Sequence, residues 1–407
     1  MYDPKLSAQI QKELENLKQA GKFKVEREIE GLQGPEVTLN GKKVLMFGSN
    51  NYLGLANHPE VVKAAHEGLD TEGYGLSSVR FISGTQTIHR ELEQKLAKFL
   101  GTEDSILYST NFMSNLGFFA SIVNESFGAE SWKDAIYSDA LNHASIIDSF
   151  KLCNRERVDK RIYPHKDLAT LKKMLAEDKD KGYRNKFIVT DGVFSMEGDT
   201  ADLSSLVDIA KEHGALLFVD DAHGVGVLGA TGRGTHEYTD TFGKIDVLSG
   251  TFGKALGGAV GGYVAGPKEL TEFLRQKSRT YMFSNSVPPS VVMASIKALD
   301  ILEKDPMLVE HAHENADLFR AGLENLGFKT LEGSHPIVPL MLGDAKIAQD
   351  MSKKLLEEGL YVVGLWFPVV PEGEARLRFQ VSAAHSKEQL ERALAIIEKV
   401  GKEMQII

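Results

Sequence analysis

Ala215-Leu-Leu-Phe-Val-Asp-Asp-Ala-His223 and Asp246-Val-Leu-Ser-Gly-Thr-Phe-Gly-Lys-Ala-Leu-Gly-Gly258 decide the fold. In each, a short apolar run is closed by turn residues, which reads as a buried strand. A helical stretch from Leu203 to His213 precedes the first, with Gly214 placed as its C-cap. Ligands of an open α/β sheet bind at the carboxyl ends of its strands. Two strands therefore deliver Asp220 and Lys254, thirty-four positions apart, to one edge.

The pattern extends outward from these segments. From about residue 60 to 285, helical stretches alternate with apolar runs at 105–108, 135–137, 187–190, 216–219, 247–249 and 262–265. That alternation predicts an α/β fold, a mostly parallel sheet with helices on both faces. Upstream, residues 4–20 predict a helix with Leu6, Ile10, Leu14 and Leu17 on one stripe, too small to bury that stripe alone. Residues 37–47 predict a hairpin around Asn40-Gly41. Downstream, Pro288-Pro289 opens a helix to about 304. Strands at 337–342, 361–363 and 376–381, with helices at 345–358 and 387–403, predict a small α+β C-terminal domain. The expected division is an N-terminal arm at 1–48, a large domain at 49–292 and the small domain at 293–407.

Composition narrows the class. The 407 residues carry a net charge of −10, which disfavours nucleic acid and anionic membranes as partners. The one cysteine, Cys153, excludes an internal disulfide framework and a cysteine-built metal site. No signal peptide or membrane-length apolar run is visible, so the chain reads as cytoplasmic. Basic residues thicken between Lys151 and Lys166. This reads as a solvated face, with a role toward the phosphates of an anionic cosubstrate as the weaker option.

Several motifs have plain alternatives. Gly224-Val-Gly-Val-Leu-Gly229 matches a dinucleotide pattern, but Ala230-Thr-Gly-Arg-Gly234 follows it and starts no helix. Leu248 and Ala255 rule out a P-loop around Lys254. Asp220, Asp221 and His223 could suggest a metal. Successive strand residues face opposite sides, however, so the two acids cannot share a pocket, and no metal is assigned. His143 and Ser195 lie just past strand ends, where each could be a simple turn or helix-start residue. Arg376 and Arg378 share a strand face, either solvated or aimed at a carboxylate. The run Gly84 to Glu93 opens a helix that could face an anion.

A lysine near an aspartate and glycine-rich turns is the set that pyridoxal 5'-phosphate needs. The lysine forms the Schiff base, the aspartate keeps the ring nitrogen protonated, and backbone N–H groups take the phosphate. Further segments are Asn50-Asn-Tyr-Leu-Gly-Leu-Ala-Asn-His-Pro59, Ser78-Val-Arg-Phe81, Ser138-Asp-Ala-Leu-Asn-His-Ala-Ser-Ile-Ile-Asp148, Thr190-Asp-Gly-Val-Phe-Ser-Met196, Phe283-Ser-Asn-Ser286 and Pro368-Val-Val-Pro371. With these the chain resembles, over nearly its whole length, the α-oxoamine synthases, pyridoxal phosphate enzymes of fold type I.

The resemblance implies an acyltransferase that condenses glycine with acetyl-CoA to 2-amino-3-ketobutyrate and CoA, reversibly, in threonine breakdown. A sister branch with another amino acid and acyl chain, such as alanine with pimeloyl-CoA, or broad acyl-CoA use, stays open. Lys254, His143, Asp220 and His223 are the implied catalytic residues. Asn111, Phe112, Ser195 and Thr251 join them around the cofactor. Phe283 and Ser284 would come from the second subunit of a homodimer whose active site lies at the interface. Asn50, Ser195 and Arg378 are implied for the substrate. Two departures stand out. Asn111 occupies a position that is Cys in the glycine branch, and residues 124–134 look like an insertion able to reshape the acyl-CoA approach.

Overall fold

The computed structural model describes residues 3–407. Its central sheet orders seven strands as Asp104–Tyr108, Gly262–Gly266, Val247–Thr251, Leu216–Asp220, Lys186–Asp191, Asp134–Asp139 and Val158–Tyr163. Neighbours run parallel except at Gly262–Gly266, which is antiparallel to both of its neighbours. The two-residue period of the strands divides the core. Leu107, Tyr137, Ile188, Val219 and Leu248 face one way, with helices Thr87–Leu100 and Pro289–Lys304. Ile106, Ile136, Phe187, Phe218 and Val247 face the other way, against Phe118 and Phe119 of helix Asn111–Ile122. This is the helix-covered, mostly parallel sheet expected.

The edge strand Val158–Tyr163 was not predicted. Only Val158 and Tyr163 at its ends are buried, and charges fill its middle, so neither strand period shows. Such charges also guard an exposed edge against pairing with other chains. They are engaged locally: Arg161 pairs with Glu177 and Asp178, both at 2.7 Å, and Lys160 donates to the Phe150 carbonyl. The basic stretch is thus a half-solvated strand.

The hairpin joins Glu36–Leu39 to Lys42–Met46, with Asn40 and Gly41 at φ 49° and 72°, as a tight primed turn requires. In place of one strand at 361–363 there are two. Leu360–Tyr361 runs parallel to Lys42–Met46, and Val363–Leu365 pairs with Ala375–Gln380. The chain steps from one sheet to the other at Val362, which is buried. Ile337–Gly343 completes a three-stranded antiparallel sheet in the small C-terminal domain. Helices Met307–Asn325, Ala345–Glu357 and Lys387–Glu403 pack on it, and Leu45 and Phe47 from the hairpin enter the same core.

Helix Pro4–Gln19 buries none of its residues; Leu6, Ile10 and Leu14 are 45%, 43% and 42% exposed. No helix among the described residues is long and apolar enough to cross a membrane. Residues 124–134 lie before Asp134, at the amino ends of the strands. There Phe127 packs on Phe273 at 5.1 Å, and Arg184 lies 5.2 Å from both the Phe127 and Trp132 rings. The segment is therefore at the opposite sheet edge from Asp220 and Lys254. No residue of this segment lines the cavity at the Asp220 and Lys254 edge.

Candidate active site

At the carboxyl edge a cavity of about 210 Å³ is lined by Asn111, Phe112, His143, Asp191, Val193, Asp220, Ala222, His223, Thr251 and Lys254. Strand register explains the convergence. Asp191 pairs with Asp220, and Asp220 with Ser249, so three strands end side by side. Asp220 lies on the sheet face that carries helix Asn111–Ile122. Asp221 lies on the other, bonded to the Thr235 amide at 2.7 Å and to the Thr235 hydroxyl at 2.6 Å. Of the supposed dinucleotide pattern, Gly224 lies against this second acid, where a Cβ would be 2.0 Å from the Asp221 Oδ1, while Gly226 and Gly229 adjoin Ala255 and Glu237.

Asp220 is buried and bonded by three donors. Asn111 Nδ2 donates to both of its oxygens at 2.9 and 3.1 Å, Asn115 Nδ2 donates at 2.6 Å, and the Ala222 amide donates at 3.1 Å. Asn115 also donates to Ser145 and accepts from Ser249, each at 2.8 Å. Ser145 in turn bonds His143 Nδ1 at 2.8 Å. The four-residue spacing of Asn111 and Asn115 on one helix places both amides on the same carboxylate. Asn111, where the glycine branch has Cys, thus adds a side-chain contact that a thiol would not make.

Burial lowers the Lys254 amine to about pH 8, against the opposing pull of Asp220 and Asp191. Burial also pushes the Asp191 carboxyl well up, with Asp220 adding to it. His223 is held well below the ordinary imidazole value by burial and by the charge of Lys254; its Nδ1 meets the Tyr52 hydroxyl at 3.0 Å. Tyr52 is itself buried and raised to about 12 by that burial. Helix Asn111–Ile122 starts at the cavity wall. Thr110 caps it through Met113 N at 3.2 Å, which leaves the Asn111 and Phe112 amides at a positive helix end. Gly262 is required there, since a Cβ would lie 2.2 Å from Asn111 N.

The remaining predicted residues do not line this cavity. Arg378 Nη1 donates to the Ser195 carbonyl at 3.0 Å, while its buried Nε has no partner. Arg376 shares the face but is fully buried against Glu197 at 3.3 Å and Glu374 at 2.8 Å, a structural role. Ser195 meets Arg378 through its carbonyl. Asn50 lines a second cavity that Gly253 shares, and its Oδ1 accepts from Gln380 Nε2 and from the Tyr52 hydroxyl. Phe283 is 62% exposed, and the Ser284 hydroxyl lies 3.4 Å from that of Ser109, just before the Asn111 helix. The Gly84 to Glu93 run leads into helix Thr87–Leu100 and does not line the cavity.

The donor set fits pyridoxal phosphate. A buried, depressed amine stands with a carboxylate bonded by three donors, and a helix start offers unclaimed amides to an anion. Asn115, Asp191, Tyr52 and Gln380 were not anticipated. The i, i+4 relation to Asn111 signals the first, and the strand-end rule signals Asp191.

Comparison with known proteins places this geometry. Residues 42–397 match the family model for aminotransferase class I and II. The chain is 49% identical to the 2-amino-3-ketobutyrate coenzyme A ligase of Salmonella typhimurium, over 98% of each chain. It is 45% identical, again over 98% of each, to the 8-amino-7-oxononanoate synthase of Thermoanaerobacter pseudethanolicus. A serine palmitoyltransferase from S. paucimobilis with a bound PLP–myriocin aldimine superposes over 100% of both chains, with a TM-score of 0.90 and 33% identity. The chain belongs to the aminotransferase class I and II family and, within it, to the α-oxoamine synthases. Its fold is that of the fold type I pyridoxal phosphate transferases.

Proposed function

We propose that this enzyme joins glycine to the acyl group of acetyl-CoA, giving 2-amino-3-ketobutyrate and free CoA. The observation that carries the reading is Lys254, buried and lowered to about 8, lining one cavity with an Asp220 that three donors hold. Pyridoxal phosphate, when bound, supplies a carbonyl for the amino acid's nitrogen and an electron-poor ring that takes up the charge left when the α-proton departs.

The chain's own groups do the rest. Near neutral pH Lys254 carries a free amine in a useful fraction of molecules, and its Nζ takes the α-proton. Asp220 would hold a proton at the ring nitrogen, with Asn111 and Asn115 fixing its carboxylate in place. His143 would form one wall for the ring, and His223, backed by Tyr52, would face the ring hydroxyl. The Asn111 and Phe112 amides, with the Thr251 hydroxyl, would hold the phosphate. Arg378 takes the glycine carboxylate through its unpartnered Nε side, with Asn50 and Ser195 beside it. That would orient the amino acid so that its α-proton faces Lys254. Phe283 and Ser284 reach a second subunit's phosphate site in a homodimer working in the cytoplasm.

The relative named 8-amino-7-oxononanoate synthase, at 45% identity, supports a second reading with a different amino acid and acyl chain. A direct test of the first half is deuterium uptake at the glycine α-carbon in heavy water. Uptake that Lys254→Ala abolishes is expected; equal uptake by that variant would overturn the role of the lysine.

A further inference from the structure

His165 lies outside the cavity, on the loop that follows the unpredicted edge strand Val158–Tyr163. Its Nδ1 is 3.0 Å from Asp139 Oδ1, and its Nε2 is 3.1 Å from Asp199 Oδ2. The two carboxylates belong to different loops. Asp139 ends a central strand and holds the Leu141 amide at 2.8 Å, two residues before His143. Asp199 closes the turn from Phe194, whose amide donates to the Asp199 carbonyl at 3.0 Å. That turn carries the Ser195 carbonyl that Arg378 grips at 3.0 Å. The imidazole also meets Phe194 edge-on at 4.3 Å.

We propose that His165 is a positioning residue. Bridging Asp139 and Asp199, it fixes the loop of His143 against the turn that seats Arg378, and so sets the amino-acid carboxylate relative to the reacting carbon. This rests on the condensation reading above. The charged groups around the imidazole are Asp139, Asp199, Glu197 and Lys166, whose ammonium lies 2.9 Å from Asp199 and whose amide donates to Asp139 at 2.8 Å. Burial works against the imidazolium, but the two carboxylate hydrogen bonds outweigh it and raise the group to about 9. The bridge is therefore doubly charge-assisted at neutral pH and loses its proton as pH rises through that value.

The test is His165→Gln, with Asp199→Asn as the milder variant, since it keeps an acceptor at the bridge. Two readouts are needed. In hydrogen exchange of the full chain, with and without pyridoxal phosphate, amides at 139–143 and 194–199 should exchange faster in both variants. In steady-state kinetics the glycine KM should rise roughly tenfold, as for loss of a charge-assisted contact, with the acyl-CoA KM unchanged. The wild type should also show a rise in glycine KM above about pH 9 that His165→Gln lacks; glycine's own ionisation is common to both. Superimposable exchange and pH profiles would overturn the proposal. If the wild type turned over no acyl-CoA, the condensation reading would fail, while the exchange experiment would still decide the bridge.

Discussion

Asn115 donates its side-chain amide to Asp220 at 2.6 Å and to Ser145 at 2.8 Å, so one buried residue ties the acid at the cavity floor to the hydroxyl that orients His143. The residue is fully buried and accepts from Ser249 as well. Replacing it with Leu strands several buried polar groups at once. Each unsatisfied group costs about 1–3 kcal/mol. Asn115→Leu is expected to lower the denaturation midpoint and weaken cofactor retention together. Retention equal to the wild type would show that Asp220 does not depend on this amide.

Lys254 links chemistry to stability through its depressed amine. Between about pH 8 and 10.5 the unfolded chain keeps a proton on this lysine that the folded, cofactor-free chain has lost. Stability should therefore rise with pH across that window, by at most about 3 kcal/mol. Lys254→Met should flatten this segment of the pH–stability curve. Parallel curves for the two proteins would contradict the depressed amine.

Arg378 should matter for binding glycine. Arg378→Ala removes a charge-assisted contact worth about 1.5–3 kcal/mol, roughly a 10- to 150-fold rise in the glycine needed for half-saturation. Glycine saturation curves check it, and an unchanged curve would remove Arg378 from the substrate site.

His335 and His385 should contribute to the acid response. Burial lowers them to about 3 and about 4 from 6.5, and each bonds a backbone carbonyl, that of His223 at 2.9 Å and that of Met46 at 3.1 Å. Below pH 6.5 the unfolded chain takes up protons that the folded chain refuses, so stability falls as pH drops toward 4. Urea midpoints at pH 7 and pH 5 should differ more in the wild type than in His385→Gln. An equal difference would exclude His385 from the acid response.

Phe127 tests where the 124–134 segment acts. Phe127→Ala removes its packing against Phe273 and Arg184 at the far edge of the sheet. Stability should fall by about 1 kcal/mol, the usual scale for a partly exposed side chain, with both substrate KM values unchanged. A shifted acyl-CoA KM would return this segment to the substrate path.

The fold was legible wherever strands are buried on both faces. The short runs Leu216–Val219 and Val247–Leu248 are apolar, and the strand-end rule then brings Asp220 and Lys254 together. The same rule, with the alternation of strand faces, separated Asp220 from Asp221. Val158–Tyr163 was not legible, because an edge strand with a charged middle shows no apolar period. Tyr52, Gln380 and His165 were hidden for another reason. Each is defined by a partner more than 20 positions away, as in Tyr52 with His223 and His165 with Asp199, and no local pattern announces such a pairing. Asp191 lay at a strand end and was open to the same argument that found Asp220.

The central claim is the pairing of glycine with a short acyl thioester. It is tested most directly by free-thiol release with glycine, alanine and serine, each against acetyl-, succinyl-, pimeloyl- and palmitoyl-CoA. Release confined to glycine with acetyl-CoA is expected. Release with alanine and pimeloyl-CoA, and not with glycine and acetyl-CoA, would contradict the account and assign the enzyme to the second reading.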